Sequence, residues 1–321
     1  MKVAVVGCGA LGSFYGAKLC RRGAEVHFLL RSDYEAVRTK GVSIRSFEGD
    51  FHVQPRCARS PEAIGPSDLV LIGLKTSAND GFPRLLPPLV GPRTMVLTLQ
   101  NGLGNEERLA KLFPPEQVMG GLAFVCLNRV EPGLIHHIDH GRIVIGEFGR
   151  PSEGRTHEIA QVFRDSGVAC DVTENLALSH WDKLVWNIPF NGLGVASSAG
   201  YEALICGEVR SCPRSPCLTT DRLLAEPRWS QLVRELMAEV VHAAQKLGLP
   251  LGEKSIDEQI GRTLTMGAYK PSTVLDFERG QPLELQSMFA EPLRLARSAG
   301  ADTPRLAALV RVLSILDSKT A

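Results

Sequence analysis

Lys183, Asn187 and Asn191 are spaced by four within residues 180–191, HWDKLVWNIPFN. At ~100° of turn per residue each step drifts only ~40°, so the three share one face of a helix. Leu184, Val185, Trp186, Ile188 and Phe190 fill the other faces, so an ammonium and two amides project from a largely apolar segment. Burying an ammonium is costly unless something compensates it. A lone lysine would snorkel to water, and two asparagines could serve only to cap or bridge neighbouring helices. Three polar positions on one face favour a ligand-binding stripe instead. Pro189 removes one backbone donor inside the run, which predicts a kink or a broken hydrogen bond there and a changed aim for Asn191.

A second constellation lies at the start of the chain, where Gly7-Cys8-Gly9-Ala10-Leu11-Gly12 follows the β-branched run of residues 2–6 and precedes an amphipathic helix through about Arg22. Gly7 permits the tight turn, Gly9 lets a pyrophosphate approach the backbone, and Gly12 lets helix and strand pack closely. The helix N-terminus adds amide donors and the positive end of a dipole. A bare glycine pattern is weak, but strand, glycine turn and helix in this order predict dinucleotide binding. The next strand, residues 25–30, ends at Arg31 and Ser32, where an NAD enzyme usually offers an acid to the ribose hydroxyls. A guanidinium there suits a 2′-phosphate and predicts NADPH as cofactor; the nearby Asp33 is the competing signal.

Apolar strands over residues 68–73 and 94–99 run into Leu74-Lys75-Thr76 and Gln100-Asn101-Gly102. The carboxyl ends of strands border the ligand crevice in a doubly wound sheet, which makes Lys75 and Asn101 candidates for the nicotinamide end of the cofactor or for the substrate. In residues 270–290, Ser272 can donate to a carboxylate, while Asp276, Glu278 and Glu284 can neutralise or orient a lysine; periodicity does not choose among the acids. His136, His137 and His140 invite a metal reading, but neighbours on a strand face opposite ways and no Cys or carboxylate completes a ligand set. No metal site is expected. Cys206, Cys212 and Cys217 are separated by five and four intervening residues in a Pro- and Arg-containing stretch, which is not a CxxC spacing and reads as an irregular loop.

These residues need two kinds of scaffold. Residues 42–53 predict a hairpin, and residues 118–147 an extended region with turns at Glu131-Pro132-Gly133 and at Gly141. A helix over 154–166 and a strand near 168–172 close an N-terminal domain, residues 1–172. Helical periodicity then takes over in an all-helical domain, residues 173–321. Pro227 opens a helix that stops at Gly248 and Pro250, and Asp302 or Thr303 can cap the last one. The expected class is α/β: a Rossmann-type doubly wound domain followed by an all-helical domain.

A chain of 321 residues with a formal charge of +1 supports two sizeable cores and gives no electrostatic case for nucleic acid or an anionic membrane. Met1 runs directly into a strand without a secretory signal, and no apolar run approaches the ~20 residues of a membrane span. Eight scattered cysteines fit buried thiols in a cytoplasmic protein. Any anionic partner should be small.

Taken together, GCGALG, Arg31, the LKT around Lys75, the QNG around Asn101, the K-x3-N-x3-N stripe, and Ser272 followed twelve residues later by Glu284 resemble the ketopantoate reductase family over nearly the whole chain. The resemblance implies a Rossmann domain joined to a helical one, with NADPH and an acyclic 2-keto acid meeting in the cleft. It also implies that Lys183 is the proton donor and that Asn187, Asn191 and Ser272 hold substrate. Asn101 is then expected where cofactor and substrate meet, and Glu284 near Lys183 and the nicotinamide end. Tyr201 and Tyr269 stand where family members tend to carry further substrate-binding asparagines, and segment 206–226 is longer than usual. Two other functions stay open: a reductase or dehydrogenase of another branched 2-keto or 3-hydroxy acid, and a non-catalytic NADP-binding sensor. A homodimer is compatible with the sequence but not required by it.

Overall fold

The computed structural model describes residues 1–209 and 215–318. Cys212 lies outside the described residues, as does part of segment 206–226. The chain divides into two compact units: Met1–Gln100 with Asn105–Leu176, and Asn101–Gly104 with Ala177–Ala321. Between Gln100 and Asn101, and again after Gly104, the polypeptide passes from one unit to the other.

The first unit is built on ten strands: β1 (Lys2–Val6), β2 (Glu25–Leu29), β3 (Val42–Ser46), β4 (Phe51–Val53), β5 (Arg56–Ala58), β6 (Leu69–Ile72), β7 (Met95–Thr98), β8 (Val118–Glu131), β9 (Leu134–Glu147) and β10 (Cys170–Val172). They form one sheet in the order β4-β3-β9-β8-β7-β6-β1-β2-β5, with β10 beside β9. The run from β8 through β7, β6, β1 and β2 to β5 is parallel throughout. β9 returns antiparallel to β8, and β3 and β4 form the expected hairpin. Helices α1 (Ala10–Arg21), α2 (Tyr34–Lys40), α3 (Phe82–Leu85), α4 (Asn105–Ala110) and α5 (Gly154–Asp165) accompany the sheet. Alternation in β1 explains why both faces are covered: Val3 and Val5 enter a core with Phe14, Tyr15 and Phe28, while Ala4 and Val6 enter another with Phe82, Leu86 and Leu89.

Gly141 does not reverse the chain as a turn. It sits inside β9 with φ +132 beside His140 at φ +62, where the register against β8 slips between Phe124 and Val125. One extra residue is absorbed there as a bulge, a feature that local sequence does not distinguish from a turn.

The second unit is helical: α6 (Leu176–Ala196), α7 (Tyr201–Cys206), α8 (Thr220–Ala225), α9 (Pro227–Lys246), α10 (Lys254–Leu264), α11 (Ser272–Glu278), α12 (Glu291–Ser298) and α13 (Pro304–Ser318), with a π-helical turn at Gln286–Ala290. Its core gathers Trp181, Leu184, Val185, Ile188 and Phe190 of α6 around Leu232, Leu236 and Val240 of α9 and Leu309, Val312 and Leu313 of α13. α6 runs without interruption through Pro189, so the missing donor is absorbed within one helix. Pro227 occupies the first turn of α9, where its absent N–H costs nothing. At the start of α13 the amides of Arg305 and Leu306 are taken at 2.8 Å each by the two carboxylate oxygens of Glu239 on α9. A residue remote in sequence thus satisfies the orphan donors that Asp302 or Thr303 was expected to cap. Among the described residues, no helix is long and apolar enough to cross a membrane.

Candidate active site

In the first unit the order of the parallel strands reverses between β1 and β6, the switch point at which open α/β sheets bind ligands. Three glycines make that point close-packed. Gly7 has φ +97, and a Cβ on it would lie 2.3 Å from the Leu74 amide nitrogen; a Cβ on Gly12 would lie 2.2 Å from the Gly7 carbonyl oxygen. A Cβ on Gly73 would reach within 2.9 Å of Gly12. Gly9 is different, since a Cβ there would meet nothing within 4 Å. It is the N-cap of α1, and no side chain caps that helix. The turn therefore presents open space against backbone amides at the positive end of a twelve-residue helix, a cradle that fits a pyrophosphate. Cys8 is no nucleophile in it. Burial pushes its thiol well above the usual range, and its Sγ points to the Val5 and Leu29 carbonyls.

Arg31 is exposed just past β2. Asp33, the acid that competes with it as a signal, accepts from the Arg129 guanidinium at 2.5 Å and from the Ser32 hydroxyl at 3.0 Å. That carboxylate is therefore already engaged by a cation from the far end of β8. Lys75 is exposed past β6, at the N-cap of a 3-10 turn, Thr76–Gly81. Local sequence does not reveal the bracing by Gln100: its amide nitrogen donates to the Leu74 carbonyl at 2.9 Å and to Asn79 Oδ1 at 2.8 Å, and its Oε1 accepts from Thr98 Oγ1 at 3.0 Å. Asn79 in turn donates to Asn105 at 2.8 Å. This buried chain of amides locks the ends of β6 and β7 together. The only signal in the sequence is an amide residue between an apolar strand and a glycine.

The histidines diverge. His136 and His140 are exposed, whereas His137 is buried beside Phe14 and Phe47, with Nδ1 2.8 Å from Ser46 Oγ and Nε2 2.8 Å from the His140 carbonyl. Burial holds its pKa below the ordinary value, and the carbonyl requires the proton on Nε2. A neutral packing histidine results. No group of three or more potential metal ligands occurs among the described residues.

In the second unit, α6 is pinned by its flanks. Ser255 of α10 donates to Asp182 at 2.5 Å, and Trp186 Nε1 donates to Thr263 Oγ1 at 2.9 Å. These bonds fix the rotation of the helix about its axis and hence the direction of the Lys183 face. Lys183 donates from Nζ to Asn101 Oδ1 at 3.0 Å. Desolvation pushes its ammonium down to about 8, opposed by the negative charge of Glu284, which is buried. A partly desolvated ammonium, an amide oxygen on it and a carboxylate nearby can deliver a proton near neutral pH.

Asn187 is buried one turn on from Lys183. Asn191 is buried too, and both ends of its amide are engaged: Nδ2 donates to the Asn187 carbonyl at 3.0 Å, and Oδ1 accepts the Thr273 amide at 3.1 Å. It thereby ties α6 to the first turn of α11, which carries the exposed Ser272. The Trp186 ring lies 5.1 Å from Phe190 and 6.2 Å from Tyr269. Of the other acids, Glu278 pairs with Lys270 at 2.7 Å. Glu284 is the acid whose charge acts on Lys183.

A Rossmann-type sheet with a glycine cradle, and a helical unit with a partly desolvated lysine, define a two-unit pyridine-nucleotide oxidoreductase. The family model described as Ketopantoate reductase PanE/ApbA matches residues 3–150, and its C-terminal counterpart, Ketopantoate reductase PanE/ApbA C terminal, matches residues 217–317. The chain belongs to the ketopantoate reductase family. It is similar to the 2-dehydropantoate 2-reductase of Nostoc sp., with 38% identity over 99% of this chain and 96% of the relative. Among solved structures it is similar to 2-dehydropantoate 2-reductase from Geobacter metallireducens, with 44% identity, a TM-score of 0.89, and 98% and 99% of the two chains covered. The enzyme of the same name from Methylococcus capsulatus has 31% identity and a TM-score of 0.86, with 100% and 98% covered. D-mandelate dehydrogenase, at 19% identity and a TM-score of 0.84, shares the fold.

Proposed function

We propose that this protein catalyses NADPH-dependent reduction of 2-dehydropantoate to pantoate, with Lys183 as the proton donor. Bound NADPH would supply the hydride that the C2 carbonyl accepts. The observation that carries the proposal is the Lys183 ammonium, held by Asn101 and kept charged by Glu284 on the polar face of an otherwise apolar helix. Its charge stabilises the oxygen as negative charge develops there, and its proton then completes the alcohol. Asn187 and Ser272 are assigned to the substrate's polar groups. Asn191 is assigned to the same subsite, acting at least in part by holding the start of α11. Asn101 and Glu284 are assigned to the region where substrate and nicotinamide meet.

Gly7, Cys8, Gly9, Ala10, Leu11 and Gly12 are assigned to the pyrophosphate, Lys75 to the nicotinamide side, and Arg31 to a 2′-phosphate. The engagement of Asp33 by Arg129 supports NADPH over NADH, because the acid that would hold free ribose hydroxyls is occupied and a guanidinium stands exposed beside it. Residues 1–172 serve the cofactor and residues 173–321 the substrate on this reading, with a small 2-keto acid as the partner molecule and a cytoplasmic location. Steady-state oxidation of NADPH and of NADH with ketopantoate and a panel of other branched 2-keto acids tests it. Preference for NADPH and ketopantoate is expected. Faster turnover of another keto acid would reassign the substrate, and tight cofactor binding without any turnover would favour a sensor.

A further inference from the structure

We propose that Gly102 and the Ser287 carbonyl form a latch that positions Asn101 on Lys183. The inference rests on the reading of Lys183 as a proton donor and adds residues to which the proposed function assigns no role. Asn101–Gly104 packs with the helical unit although β7, just before it, belongs to the sheet. The Leu103 amide donates to the Ser287 carbonyl at 2.9 Å. Gly102 has φ +81, and a Cβ on it would lie 2.3 Å from the Ser287 oxygen and 2.8 Å from the Met288 nitrogen. Only a glycine lets the two backbones come this close without displacement.

Two features of the Ser287 segment direct its carbonyl to Leu103. In a regular α-helix Ser287 would receive the amide of residue 291, but within the π turn Gln286–Ala290 the Glu291 amide goes to the Gln286 carbonyl instead. The residue five positions on from Ser287 is Pro292, which has no N–H to offer. Neither the Glu291 amide nor residue 292 therefore competes with Leu103 for the Ser287 oxygen. Glu284, whose charge acts on Lys183, anchors the same segment, since its carbonyl accepts the Met288 amide at 3.1 Å. One short stretch thus supplies both the carboxylate near Lys183 and the fixed point for the loop that carries Asn101.

The test compares Gly102→Ala, Asn101→Ala and the double variant in the full-length protein. Gly102→Ala should lower kcat about a hundredfold, the scale of an ångström-level misplacement at a reacting group, with a smaller change in KM. It should also move the basic limb of the kcat profile to lower pH, because the ammonium loses the oxygen that favours its charged form. The double variant should match Asn101→Ala alone, whereas a general packing defect would add to it. Lys183 is also titrated through its side-chain carbon resonance by NMR, a readout that needs no turnover, and its pKa should fall in both single variants. If Gly102→Ala does not fold, Pro292→Ala replaces it: an amide restored at position 292 competes with Leu103 and should shift kcat, limb and Lys183 pKa the same way by a smaller factor. Wild-type titration of Lys183 in the folded variant, or full additivity with Asn101→Ala, overturns the latch. Wild-type protein that reduces no 2-keto acid overturns the parent reading alone, since the Lys183 resonance still decides the latch.

Discussion

Lys183 Nζ donates to Asn101 Oδ1 across 3.0 Å, joining residues 82 positions apart in the chain. The asparagine follows a buried strand and the lysine sits mid-helix, so the pair exists only because the loop Asn101–Gly104 packs with the helical unit. The acceptor fixes where the ammonium points, and desolvation with Glu284 fixes how readily it gives up its proton.

Replacing Lys183 by alanine removes the proposed proton donor without disturbing the glycine turn. Turnover should fall by about 10²–10⁴-fold, the usual contribution of a positioned general acid, while NADPH binding followed by fluorescence titration is unchanged. Turnover near the wild-type value would remove Lys183 from the chemistry.

The pH profile follows from the direction of the Lys183 shift. Only the ammonium can donate, and its pKa is pushed down to about 8, so keto-acid reduction should be flat below that value and decline above it with the slope of one proton. Oxidation of the hydroxy acid, which needs the neutral amine, should rise through the same region. Glu284→Gln removes the charge that raises the pKa, so the reduction limb should move further toward acid; an unmoved limb would mean that Glu284 does not act on the lysine.

Arg31→Ala tests cofactor choice. Loss of one charge-assisted contact to a 2′-phosphate, worth about 1.5–3 kcal/mol, corresponds to roughly a 10- to 100-fold rise in the NADPH KM. The NADH KM should change little, because that cofactor has no phosphate for the guanidinium to hold. Equal effects on both would contradict the assignment.

Glu239→Ala tests the helical scaffold apart from the chemistry. It leaves the amides of Arg305 and Leu306 without their carboxylate acceptor at the start of α13. A loss of about 1–3 kcal/mol is expected, read as a Tm lowered by several degrees, with kcat of the folded enzyme retained.

What the sequence determined by itself was local. Strand, glycine turn and helix within the first 21 residues are set by short-range sterics, because a tight turn and close helix-strand contact admit few residues besides glycine. The common face of Lys183, Asn187 and Asn191 likewise follows from helix periodicity, which Pro189 did not interrupt. Tertiary structure decided the partners. Asn101 on Lys183, Arg129 on Asp33, Glu239 on α13 and the Ser287 carbonyl on Leu103 each join groups from different elements, and no local pattern specifies which distant atom will meet a given donor. The Gly141 bulge was hidden for the same reason, since whether a left-handed glycine turns the chain or only kinks a strand depends on the strand beside it. Backbone preference acts over a few residues, whereas a proton donor's partner and pKa depend on packing between segments far apart in the chain.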